Sequence, residues 1–126
     1  MNREGPPALF APDRPYKDFE PVMGVWSLRN TINGRRLVGA SLHTAAALNR
    51  TLFTLRHGQH RNRELQRDWN EHGEAAFVSE VLHVLEPTAA RSDREYADEL
   101  ATLERLCLDE LRPWDERGYH TRPARR

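Results

Sequence analysis

Apolar and polar positions change period several times along this chain. Val25-Trp26-Ser27-Leu28-Arg29 and Arg36-Leu37-Val38 are rich in residues that favour extended backbone, and Thr31-Ile32-Asn33-Gly34 lies between them. Asn-Gly between two such runs predicts a β-hairpin, because both residues tolerate the positive φ of a tight turn. The period then lengthens. Leu48, Leu52 and Leu55 recur at helical spacing, and Gly58 is placed to end that helix. Asn62 is placed to cap a second short helix on which Leu65 and Trp69 share a face, and Gly73 closes it. Ala76 to Leu85 has strand length, with Phe77 and the valines favouring extended structure. Ser92 followed by Glu95 forms a capping-box pattern. It opens a last helix whose apolar stripe is Tyr96, Leu100, Leu103, Cys107 and Leu111, and Pro113 stops it.

The expected order is strand, strand, helix, helix, strand, helix. A small three-stranded sheet with a hairpin, flanked by about three helices, makes an α+β domain, since the helices must cover the apolar sheet. The 126 residues suit one such domain. Five of the eight prolines fall within residues 1–21. That stretch is expected to be an irregular arm touching the domain through Phe10, Tyr16 and Phe19. Residues 22–120 form the expected domain and 121–126 a basic tail. No apolar run is long enough to span a membrane, and no apolar leader precedes the domain, so a cytoplasmic location is expected. Cys107 is the only cysteine, which excludes an internal disulfide.

Charge alters the picture only when it is divided along the chain. Nineteen cations balance 19 acids, which excludes a uniformly basic nucleic-acid binder. Residues 50–67, however, hold Arg50, Arg56, Arg61, Arg63 and Arg67 against Glu64 alone, a net of +4. Such clusters bind phosphate backbones, and arginine, which supplies 18 of the 19 cations, does so with a planar donor fork. His60 and Asn62 add donors within the same window. The last helix is the counterweight, with Asp93, Glu95, Asp98, Glu99, Glu104, Asp109 and Glu110. It could serve a protein partner. His57 and His60 lack a Cys or acidic neighbour at ligand spacing, so zinc is not expected there.

Several motifs resemble the GIY-YIG nuclease superfamily, in the branch of the intron homing endonucleases. Gly24-Val25-Trp26 stands where G-I-Y belongs, and after ten intervening residues Leu37-Val38-Gly39 stands where Y-I-G belongs. Leu55, Gly58, His60, Asn62, Leu65 and Gln66 reproduce L-x-x-G-x-H-x-N-x-x-L-Q. Trp69-Asn70-Glu71-His72-Gly73-Glu74 resembles W-N-x-x-G-E, and Glu116-Arg117-Gly118-Tyr119-His120 resembles E-R-G-Y-N. The resemblance covers roughly Met23 to His120.

It implies hydrolysis of a nucleic-acid phosphodiester with one divalent metal, magnesium or manganese. In the family, tyrosines of the first two motifs help activate water. An arginine on the first helix stabilises the phosphate, and a glutamate on the last helix holds the metal. Here the tyrosine positions fall on Trp26 and Leu37, the arginine on Ala47, and the His or Tyr four residues further on Thr51. Trp has only an indole donor and Leu no polar atom, so neither can take a proton. The metal-binding glutamate falls on Glu104, and Arg50, three residues after Ala47, is a candidate substitute for the arginine. A lost general base alone costs about 10²–10⁴ in rate.

Three readings remain. In the first, the domain binds nucleic acid, DNA being expected, through Arg50, Arg56, His60, Arg61, Asn62, Arg63 and Arg67, with family-type cleavage lost or rebuilt around Glu104 and Arg50. In the second, it is an active, divergent metal-dependent DNA endonuclease acting on single strands or in damage repair. In the third, it is a protein-interaction module using the acidic helix and the proline-rich arm.

Overall fold

The computed structural model describes residues 22–87 and 91–121. The arm expected over residues 1–21 and all but the first residue of the expected tail lie outside them. Strands β1 (Met23–Asn30) and β2 (Arg36–Ser41) form the hairpin and are followed by helices α1 (Thr44–Arg56) and α2 (Arg63–His72). Strand β3 (Phe77–Leu85) and helix α3 (Asp93–Leu111) complete the order read from the sequence. The sheet runs β2-β1-β3 and is antiparallel throughout.

The local signals account for the element ends. At the end of α1, Gly58 takes φ +70°, while the Gln59 amide donates to the Thr54 carbonyl and the Gly58 amide to that of Leu55, a Schellman close. The Asn62 side chain accepts from the Leu65 amide at the start of α2, and Gly73 (φ +88°) follows its end. Ser92 and Glu95 form the reciprocal capping box of α3. Two details differ from expectation. The hairpin connection spans Thr31 to Arg35, and only Gly34 takes positive φ there (+80°), because Asn30 and Asn33 use their side-chain oxygens to accept the amides of Ile32 and Arg35. The third strand starts at Phe77, since Glu74–Ala76 form one 3₁₀ turn.

Alternation along the sheet builds two apolar layers. On one face, Val25 and Val38 pack with Cys107, flanked by Leu103, Leu108 and Leu111 of α3. On the other, Leu28 packs with Leu55 of α1, Leu65 and Trp69 of α2, and Tyr119, with Leu37, Leu52 and Phe77 around them. Past α3, residues 118–120 return to the outer side of β2. Gly118 bridges Arg36 in parallel, and the Tyr119 amide donates to the Arg36 carbonyl at 3.1 Å. This strap brings the chain's last motif beside its first two.

Candidate nucleic-acid interface

Trp26 and Gly39 are cross-strand partners, and the indole lies across the glycine. A Cβ at position 39 would stand 2.4 Å from Cζ2 of Trp26, so the two residues fit only as a pair. The indole is 8% exposed, and its Nε1 is buried with no hydrogen-bond partner among the described residues. That exposure suits packing rather than base stacking. Leu37 pairs with Leu28 and packs on the Leu28 cluster. Both residues border a cleft of about 430 Å³. Thr51 of α1, the segment His60 to Asn62 and the strap residues Tyr119 to Thr121 complete its walls. The Thr51 hydroxyl donates back to the Ala47 carbonyl at 3.0 Å. Arg50 is exposed, and neither it nor Glu104 belongs to the described walls. Glu104, half-buried on α3, has its pKa raised by that burial.

The His60–Asn62 turn is held from four sides. The His60 amide donates to Oε1 of Gln66 at 2.9 Å, and the Asn62 amide donates to Nδ1 of His60 at 3.0 Å. Asn62 Nδ2 reaches the Tyr119 carbonyl at 2.7 Å, while Gln66 Nε2 donates to the Leu55 carbonyl at 3.0 Å. Also on the cleft, the Val38 amide donates to Nε2 of His120 at 2.8 Å. Each imidazole therefore uses its unprotonated nitrogen to accept from backbone, which places the proton on the other one: Nε2 of His60 and Nδ1 of His120. Burial lowers the pKa of both, and the Arg61 charge lowers that of His60 further.

These shifts have a stability consequence. The unfolded histidines titrate near 6.5 and the folded ones lower, so below that pH the unfolded chain binds more protons. Stability from this source is complete above pH 6.5 and is lost as pH falls through the folded values. The urea midpoint is expected to drop between about pH 7.5 and about pH 5.5, and the drop should shrink in His120→Asn. An equal drop in that variant would show that His120 is not among the groups responsible.

Behind the cleft lies a buried polar network. The Tyr119 hydroxyl donates to Oδ2 of Asp68 at 2.8 Å and accepts from Nδ2 of Asn30 at 3.2 Å. Asn33 Nδ2 reaches the same Asp68 oxygen at 3.1 Å. Arg35 stands 3.8 Å from it and 3.5 Å from Glu64, with its guanidinium over the Tyr119 ring. Burial is the main cause that pushes the Tyr119 pKa above the usual tyrosine range, so the phenol stays a donor. This network joins the hairpin turn, α2 and the strap, and no spacing in the sequence announced it.

The basic window divides. Arg61 lies on the cleft, and Arg63 and Arg35 lie on an adjoining one of about 570 Å³ that shares Asn62 and His120. Arg67 is exposed on α2. Arg56 is engaged elsewhere, in a two-pronged contact with Glu74 at 3.0 and 2.6 Å. The divalent metal that the resemblance implies finds a poor donor set in the cleft. The described walls carry no carboxylate, and their buried orphan, Trp26 Nε1, is a donor that cannot ligate a cation. Asp68, Glu71 and His72 of α2 do bring one ligand atom each within 4.8 Å of one another. Their D-x-x-E-H spacing on one helix was the available signal for that group.

A three-stranded antiparallel sheet in the order β2-β1-β3, covered by α1 and α2 on one face and α3 on the other, with Trp26, Leu37-Val38, His60–Asn62 and Tyr119-His120 meeting at one cleft, is a GIY-YIG-like fold. Two solved structures are similar to the chain. The catalytic domain of homing endonuclease I-TevI is 27% identical over 77% of this chain and 95% of its own, with a TM-score of 0.60. A Glu-to-Ala mutant of the catalytic domain of intron endonuclease I-TevI is 23% identical, over 72% and 84%, with a TM-score of 0.59. No family model and no curated protein matches the chain.

Proposed function

We propose that this domain binds nucleic acid, with DNA as the expected form, on the surface where GIY-YIG nucleases act, and that family-type cleavage is lost or strongly altered. One observation carries the reading. The cleft at the two tyrosine positions is walled by Trp26 and Leu37, and the two imidazoles beside them have their basic nitrogens occupied by backbone amides. A phosphodiester there meets hydrogen-bond donors and Arg61 but no group free to take a proton from water. The likeness to the I-TevI catalytic domain supports a nucleic-acid ligand.

The test pairs a binding assay with a cleavage assay on the same single- and double-stranded DNA panel, with magnesium or manganese present. Binding that weakens steeply with salt, without product formation, is the expected result. The second reading, a divergent endonuclease, rests on Glu104, whose raised pKa marks a partly desolvated carboxylate on α3. Metal-dependent cleavage that disappears in Glu104→Ala would establish it instead. If no DNA or RNA binds in a salt-sensitive way, the acidic α3 becomes the surface to pursue, as a docking site for a protein partner.

A further inference from the structure

We infer that the cleft holds a phosphate group without a metal ion, through the Nε2–H of His60, the Nδ1–H of His120 and the Arg61 guanidinium. The inference rests on the nucleic-acid reading above and departs from the metal-centred chemistry of the fold. A site for a hard cation bridging protein and phosphate presents carboxylate oxygens; the described walls of this cleft present none, and Glu64 and Asp115 lie on the adjoining one. They present donors instead. Each imidazole is fixed in one tautomer by a main-chain amide, Asn62 N–H to His60 Nδ1 at 3.0 Å and Val38 N–H to His120 Nε2 at 2.8 Å. The remaining N–H of each ring makes no hydrogen bond to the described residues, and both histidines line the cleft.

The two rings are held in place independently of any ligand. His60 is anchored through Gln66 and Asn62, and His120 through the edge of β2. Donors fixed beforehand lose little freedom when an anion arrives, and an anion strengthens each hydrogen bond it accepts. Arg61 is exposed at the cleft mouth and supplies the formal charge. The shared chemistry is a phosphate oxyanion, which can come from the interior of a strand or from a phosphorylated strand end.

The test uses the full chain, labelled with ¹⁵N, in the presence of EDTA at a pH above the histidine range. Inorganic phosphate is titrated first, then single-stranded oligonucleotides with a 5′-phosphate or a 5′-hydroxyl. The expected result is movement of the His60 Nε2 and His120 Nδ1 signals, with His60 Nδ1 and His120 Nε2 remaining unprotonated. Arg61→Ala and His60→Ala should each weaken binding by about ten-fold. Arg61 is exposed, so its variant keeps the test valid if the histidine variant folds poorly. Equal binding of the two oligonucleotides assigns an internal phosphodiester, and preference for the phosphorylated one assigns a strand end.

Three outcomes overturn the proposal. Oligonucleotide binding that leaves the imidazole signals unmoved would place the nucleic acid elsewhere while the nucleic-acid reading stands. Binding that vanishes in EDTA and returns with magnesium would restore a metal to the site. Silence of the signals toward all three probes would remove the subsite altogether. Signals that respond to inorganic phosphate but to neither oligonucleotide would keep the subsite and remove the nucleic-acid reading.

Discussion

Gly118→Ala is expected to destabilise the domain by about 3 kcal/mol and to abolish oligonucleotide binding. A Cβ at position 118 would stand 2.0 Å from the carbonyl oxygen of Pro113 and 2.2 Å from its carbonyl carbon. Those atoms are backbone, so no side chain can swing aside. The conformation is extended, with φ −174°, so the constraint is space rather than a glycine-only backbone angle. Relief requires the strap to move off β2. That motion breaks Val38–His120 and Asn62–Tyr119 and pulls Tyr119 from Asp68. Urea unfolding reads the stability loss, and the tautomer signals of His60 and His120 read the loss of the cleft. A variant that binds and unfolds like the parent would mean that the strap adjusts without cost.

Asp68→Ala should produce the second large effect, again about 3 kcal/mol. Asp68 is buried, its side chain 9% exposed, and its carboxylate serves Tyr119, Asn33 and Arg35 together. Removing it leaves a buried phenol proton and an amide without their acceptor, and leaves Arg35 with Glu64 alone. Tyr119→Phe removes one spoke of the same network and should cost about 1–2 kcal/mol. Because both changes delete the same hydrogen bond, the double variant should fall short of the sum by about 1 kcal/mol or more. Full additivity would separate the two residues and sink the idea of a shared network.

The sequence was informative wherever one element carries its own signal. Asn62 ahead of Leu65, Ser92 ahead of Glu95, and Gly58 and Gly73 after their helices all rest on bonds between near neighbours. The apolar stripe through Tyr96, Leu100 and Cys107 faces the core as its helical period requires. The GIY-YIG-like order of elements followed from these signals together. What joins the elements was not legible. Asp68 and Tyr119 are 51 residues apart, Val38 and His120 are 82 apart, and no local period records such pairings. Arg56 illustrates the limit on the basic window: composition counted its charge as available, and only the fold places Glu74 against it. The same holds for Arg50: α1 reaches the described cleft walls through Thr51, and neither Ala47 nor Arg50 is among them.

The indole of Trp26 lying over Gly39 has a consequence for any tyrosine placed at that position. Tyrosine at position 26 would be smaller than the ring it replaces and would leave a void over the glycine, a loss of about 1–3 kcal/mol before any chemistry is gained. A tyrosine at position 37 would replace a half-buried leucine that packs on the Leu28 cluster and borders the cleft, so the larger ring must be accommodated at that boundary. Neither exchange is neutral to packing, and position 47 would still hold Ala47. The packing of these two residues thus sets a threshold that any single exchange at the cleft must cross.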